Sequence, residues 1–363
     1  MWLRRIYWVL LTGVLLGAPL ALKAGSEVFL PVTAAVLIAI ALVPSLEWLE
    51  RRGVPSGGAA ALCVLMFLTM VALALSTVIV PAADWVVALP ERLPRVQATL
   101  GPLIELYANL QKFIDNAVAR LAVESQAQAQ AVAIQADGSM GAFISSAPSV
   151  LIQTFFALLL IFFFLAGWSA LRRSTINSRA SFDSALNTAR IIQNVVDSTA
   201  AYLTTISAIN VALGATNALL LWALGMPSPL MWGGIIALCN FVPYVGPVLA
   251  AALLALGGLM SFDNVWLAMT PAVIAIILHF LEANLVTPYI LGRRLTINPV
   301  MILLSLSFWG WVWGAAGALL AVPILIVLQT VRTSLSQPAL PPPSPLPPTR
   351  PTVGETENLT QAG

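Results

Sequence analysis

Residues 230–260 read LMWGGIIALCNFVPYVGPVLAAALLALGGLM, and the way this stretch meets a bilayer sets the topology of the whole chain. As one helix it would be roughly 46 Å long, against a hydrocarbon core of about 30 Å. Its middle, Asn240-Phe-Val-Pro243-Tyr244-Val-Gly246-Pro247, is poor helix sequence, because proline removes a backbone donor and crowds the preceding turn. Two readings follow. Either a long tilted helix kinks at the prolines, or the segment is discontinuous and returns to the side it entered from. Unpaired backbone at membrane depth is tolerated only where protein buries it or it lines a wet cavity. The second reading therefore makes Asn240, Pro243, Tyr244, Gly246 and Pro247 candidate substrate-contacting residues.

The rest of the chain is equally apolar. Of 363 residues, 59% are hydrophobic and 9% charged, where a soluble domain carries about 25% charge. The fold class expected is an all-α integral membrane protein. A net charge of +2 gives no basis for nucleic-acid binding. Cys63 and Cys239 lie in apolar runs and make no disulfide framework, and a single histidine excludes a multi-histidine metal site. We expect no metal and no cofactor.

Eight hydrophobic segments stand out, at 6–22, 28–46, 59–83, 148–168, 201–224, 230–260, 265–291 and 299–331. The first also has features of a signal peptide, with Arg4-Arg5 before the apolar run and Ala24-Gly25 after it. Leu22 is large for a cleavage site, however, and a second segment follows at once. Positive residues in short loops face the cytoplasm. Arg4-Arg5, Arg51-Arg52 and the arginines at 172, 173, 179 and 190 then place the N-terminus inside and the loop 84–147 outside. Single crossings by 230–260 and 265–291 would leave Arg293-Arg294 outside; a re-entrant 230–260 returns them inside. The segment 299–331 is also overlong and interrupted near Gly310 and Gly314, so it too reads as re-entrant, with the C-terminus inside.

Between these segments, Val96, Leu100, Leu103, Tyr107, Leu110, Ile114, Ala117 and Leu121 form one helical stripe. Such a helix suits the outer leaflet, the transmembrane body or a copy in another subunit. Residues 169–199 read as a cytoplasmic linker, and 332–363, with eight prolines between Pro338 and Pro351, as a disordered tail. The domain expected is thus a polytopic body over 1–331 with an insertion at 84–147.

The stretch 279–323 concentrates polar groups that a membrane anchor does not need. His279 and Glu282 are three apart and share a helix face. Ionised groups at mid-membrane cost about 2.5–3.5 kcal/mol on insertion scales and face protein or water. This pair, with Asn284 nearby, suits proton relay or solute contact; alternatively Glu282 pairs with Arg293 or Arg294 if the helix breaks at Pro288. Pro288, Gly292, Arg293, Arg294, Gly310 and Gly314 are the gating or topology candidates. Asn210 and Asn217, seven apart, read first as interhelical glue and second as solute contacts. Trp309, Trp311 and Trp313 suit a lipid interface or a stacking wall for a sugar-like ring. No nucleophile elbow or phosphate-cradling loop occurs, so an enzyme is not expected. Broken helices are where secondary transporters place their sites.

These motifs resemble the autoinducer-2 exporter family, the PerM-like permeases. The likeness spans nearly all of 1–331. It is strongest in Leu49-Glu-Arg-Arg52-Gly-Val-Pro55, Pro90 to Pro94, Asn240 to Pro247, Pro288-Tyr-Ile-Leu-Gly-Arg-Arg294, Asn298-Pro299, Phe308 to Gly314 and Leu320-Ala-Val-Pro323. Ser56-Gly57 departs from the family, whose members often carry a basic residue after that proline. The resemblance implies a bacterial inner-membrane exporter of small polar solutes such as autoinducer-2. It also implies a homo-oligomer, a pentamer, with an elevator-like movement of part of each subunit. Some relatives are described as sodium/proton antiporters, so H+ or Na+ is the implied coupling ion. A non-transporting membrane scaffold is the remaining alternative.

Overall fold

The computed structural model describes residues 17–92, 139–291 and 298–336, with single positions at 2, 13, 94, 96, 98, 99 and 101; at 139–150 and 291 the backbone alone is described. Among the described residues there is no strand. The helices are α1 (Ser26–Arg51), α2 (Ser56–Val87), α3 (Ser139–Asn177), α4 (Phe182–Ala223), α5 (Pro229–Cys239), α6 (Val245–Ser261), α7 (Val265–Leu281), a π turn (Glu282–Val286), α8 (Thr287–Leu291) and α9 (Pro299–Ser336). Six described helical stretches are long and apolar enough to cross a membrane, and the protein is an all-α, multi-pass membrane protein. The segment 6–22, the stripe from Val96 to Leu121, residues 292–297 and the proline-rich 337–363 lie largely or wholly outside the described residues.

The stretch 230–260 is not one helix. It breaks at Asn240–Tyr244 and folds back, so that α5 and α6 form a helical hairpin. A Cβ on Gly246 would run into the Cys239 carbonyl oxygen, and the Trp232 ring lies against Gly257. The turn is tight. Val245 N–H donates to the Pro243 carbonyl at 2.8 Å, while Tyr244 sits at φ 66°, ψ −48°. This three-residue γ-turn with positive φ is rare and strained. Pro247 falls in the first turn of α6, where its missing N–H is no loss.

A second hairpin lies within α9. Trp313 (φ −126°, ψ 17°) and Gly314 (φ 63°, ψ −144°) interrupt it. In a straight helix, residues sixteen apart are separated by about 24 Å, yet Ser305 Oγ donates to the Ala321 carbonyl at 2.8 Å. The arms 299–312 and 315–336 therefore run back along each other, and a Cβ on Gly317 would strike the Trp309 carbonyl. Gly310 stays helical. The second arm runs through Ser336, past the boundary at 331 that hydropathy suggested. The backbone angles of Gly314 suit glycine alone, and an L side chain there costs about 1–3 kcal/mol. Gly314→Ala is expected to lower the fraction of detergent-solubilised protein that stays monodisperse after heating. Gly310→Ala, with open space around it, is expected not to.

Residues 169–199 are helical on both sides of a short break at 178–181. Ser181 caps α4 by accepting from Ser184 N–H at 3.3 Å. At 42 residues, α4 is roughly 63 Å long, twice the hydrocarbon thickness. It joins two separate cores. One gathers Val43, Leu46, Ala59, Cys63, Ile161 and Leu165 from α1, α2 and α3 around Val196. The other gathers Leu213, Leu221, Met231, Trp232, Leu254 and Ala272 from α4 and the first hairpin with α7. Within the second core α4 and α5 touch through Gly214 and Gly233, each facing the other's backbone carbonyl, with Ala218 and Ala237 one turn on. Small residues four apart on both helices are how membrane helices reach close contact.

Candidate functional site

The tip of the first hairpin docks on α4 through one buried polar contact. Asn240 Nδ2 donates to Asn210 Oδ1 at 2.8 Å, and both residues are buried. Asn210 thus ties helix to hairpin, as the glue reading expected. Asn217 does not: its Nδ2 donates to the Leu213 carbonyl of its own helix at 2.9 Å. Asn210 Nδ2, Asn217 Oδ1 and Thr199 Oγ1 are buried without a protein partner among the described residues. Leaving such an atom unpaired costs about 1–3 kcal/mol, and three along one helix mark α4 as the polar spine of the molecule. Alanine at Asn210 and at Asn240 should each destabilise. A double-mutant cycle by thermal unfolding in detergent should return a coupling of about 0.6 kcal/mol, and no more than about 1.7.

Beside this contact lies a cavity of about 480 Å³. Phe241 from the first hairpin tip meets Ala316, Leu319 and Leu320 from just beyond the second. Leu30, Pro31 and Ala34 of α1, Phe67 of α2, and Tyr202 and Ile206 of α4 close the walls. Gln153, Thr154 and Tyr202 supply its polar side-chain groups. Both interrupted segments therefore reach one cavity. Its polar lining was missed from sequence, since Gln153-Thr154 and Tyr202 come from different helices and share no motif.

The second polar centre is Glu282. It is buried and opens the π turn, a distortion often found at functional sites. His279 Nδ1 lies 3.6 Å from Glu282 Oε2, as their spacing predicts. Glu282 Oε1 accepts from Thr287 Oγ1. That partner was not foreseen: five residues on is the wrong face of an α-helix, and the π turn brings it round. The same widened turn takes Thr287 N–H to the Glu282 carbonyl and carries the chain through Pro288 without the break that pairing with Arg293 required. Arg293, Arg294 and Gly292 lie outside the described residues. A cavity of about 590 Å³ runs from Glu282 along α4 past Thr204, Thr205 and Thr216, and shares no lining residue with the first cavity. A carboxylate and three hydroxyls there, with the His279 imidazole beside the carboxylate, can hold a proton or a small cation.

Other candidates are placed apart. Asn284 is exposed and donates to the Phe280 carbonyl of its own helix at 2.8 Å. Tyr244 is half exposed. The tryptophans fasten the second hairpin tip. Trp313 Nε1 donates to the Leu22 carbonyl at 3.0 Å, and Lys23 Nζ lies 4.5 Å above the Trp311 ring. Trp309 and Trp313 stack with centroids 4.7 Å apart. Among the described residues no cluster of His, Cys, Asp or Glu is suited to a metal ion.

A sequence model of the AI-2E family transporters matches residues 6–337. The chain is 26% identical over 325 residues to the AI-2 transport protein TqsA of Escherichia coli (strain K12), covering 88% of this chain and 90% of that protein. It is also 26% identical to YrrI of Bacillus subtilis (strain 168), named as a transport protein, over 84% of this chain and 85% of that one. A further relative, MT0215 of Mycobacterium tuberculosis, is 28% identical over 82% of this chain and 80% of its own length.

Proposed function

The chain belongs to the AI-2E family of transporters, and from that premise we propose that it is a secondary exporter of a small, polar, largely uncharged solute of the autoinducer-2 type across the bacterial inner membrane. The observation that carries the reading is the cavity of about 480 Å³ at which both hairpin segments meet α4. Discontinuous segments at membrane depth are the usual site builders of secondary transporters. The solute would sit there, against Gln153, Thr154 and Tyr202, with the open backbone of the hairpin tip at Asn240–Tyr244 beside it. The two cores joined along α4 suit an elevator-like shift of one against the other. The arginine pattern supports an N-terminus and a C-terminus in the cytoplasm with both hairpins re-entrant, and the family likeness supports a pentameric assembly. Proteoliposomes loaded with labelled autoinducer-2 test the substrate. Efflux faster than from protein-free liposomes is expected; equal rates, with and without a proton gradient, reject it.

Glu282 supports a second reading, cation/proton antiport. A buried carboxylate beside His279 and a threonine-lined cavity suits H+ or Na+ better than a neutral solute. Sodium pulses to everted vesicles would collapse a pre-formed pH gradient on this reading and leave it intact on the first.

A further inference from the structure

Far from both cavities, where α1 ends and α3 approaches its last turns, lies a polar pocket of about 490 Å³ lined by Glu47, Glu50, Arg51, Trp168, Ser169, Arg172 and Arg173. Part of its chemistry is internally satisfied. Arg172 Nη1 lies 3.4 Å from Glu47 Oε1, Arg172 Nη2 donates to Gln193 Oε1 at 2.8 Å, and Ser169 Oγ reaches Glu50 Oε2 at 3.5 Å. Part is not. Trp168 is 6% exposed, and its indole N–H is buried without a partner, as is Glu50 Oε1. One is a donor and the other a charged acceptor, in the wall of the same pocket. Arg173 stands exposed at its rim.

These groups define what would fit. An occupant must donate to Glu50 and accept from Trp168, so an ion of a single sign fails one of them. A primary ammonium joined to a phosphate meets both, with Arg173 beside the phosphate; Arg51, on the same rim, is paired with Glu47 Oε2 at 3.4 Å. The level of the pocket also agrees. Trp48, half exposed, carries the Arg52 guanidinium 3.9 Å above its ring, and exposed Trp with Arg is the signature of the headgroup region. Arg51, Arg52, Arg172 and Arg173 gather at this one end of the bundle.

We propose that this pocket is a binding site for a phospho-ammonium zwitterion, the headgroup chemistry of phosphatidylethanolamine. It is independent of the solute and coupling sites. It orders the ends of α1 and α3, which belong to the N-terminal core, and so gives that core a hold on the surrounding lipid.

The test uses the delipidated full-length chain titrated with an equimolar mixture of phosphatidylethanolamine and phosphatidylcholine of distinguishable mass and read by native mass spectrometry. The quaternary ammonium of the second lipid has no N–H to give Glu50. The wild-type chain is expected to prefer phosphatidylethanolamine by about tenfold, equivalent to ~1.4 kcal/mol. Trp168→Phe, which keeps the packing, and Glu50→Gln, which keeps the shape, should each bring the preference close to parity. Because the readout is a ratio within one sample, a loss of fold would remove both lipids and not the preference alone. Equal retention of the two lipids by the wild-type chain, or a preference unchanged in both variants, overturns the proposal. Millimolar glycerophosphoethanolamine separates the sources: displacement of the lipid assigns the pocket to a free solute, and retention assigns it to the bilayer.

Discussion

Gly246→Ala is expected to cut transport at least tenfold and to lower the thermal survival of the protein in detergent. The added Cβ would overlap the Cys239 carbonyl oxygen and approach its carbon. Both are backbone atoms, so no rotamer relieves the clash and the hairpin tip itself must shift. Overpacking of this kind costs about 1–3 kcal/mol or more, and 1.4 kcal/mol is already tenfold in a population. The tip has little slack to offer. Tyr244 is already at φ 66° in a γ-turn, and Asn240 is committed to Asn210. A shift at Gly246 therefore spreads to Phe241 and so to the wall of the solute cavity. Gly167→Ala is the matched control, since nothing lies within 4 Å of the Cβ it would carry. If both variants transport and survive heating alike, the hairpin tip is not the rigid element described above.

The two breaks were legible because they depend on local chemistry. Pro243, Gly246 and Pro247 crowded into five residues mark a weak point in any helix, and Gly314 marks the second interruption. What the breaks do to the chain was only half legible. Hydropathy and length left a kinked span and a hairpin both open, and only tertiary contacts such as Ser305 with Ala321 distinguish them. The strain at Tyr244 left no trace in the sequence, since tyrosine is not a residue that favours positive φ. The polar sites show the same division. His279 and Glu282 were paired correctly because three residues in a helix is a fixed geometry. Thr287 was missed because its contact exists only through a π turn that no pattern announced. Glu50 and Trp168 were missed because they come together only when α1 and α3 pack, 118 positions apart in the chain.

Glu282→Gln is expected to reduce gradient-driven transport by at least about tenfold while leaving the protein folded. The amide keeps the volume of the side chain and an oxygen to accept from Thr287 Oγ1, so the π turn retains its internal tie. What it loses is the ability to take up and release a proton or to neutralise a cation. That distinction separates chemistry from architecture. If Glu282 couples transport to an ion, driven flux falls, while solute exchange measured with no gradient persists. If its part is only to hold the π turn together, Gln leaves both intact, and Thr287→Val, which removes the donor, becomes the damaging substitution. His279→Gln should do less than Glu282→Gln, because the imidazole lies 3.6 Å away and its side chain is 28% exposed, against 9% for Glu282. The more buried group is the one whose charge the protein must manage, since a lone ionised group in an apolar bundle persists only where neighbours or water meet it. Thr204, Thr205 and Thr216 line the route from Glu282 along α4. Of these, Thr204 lies about 160° round the helix from Tyr202, so valine at Thr204 should slow driven flux without touching the solute cavity. Uncoupled exchange in the same liposomes checks that separation, and a parallel loss of both fluxes would place solute and ion in one path.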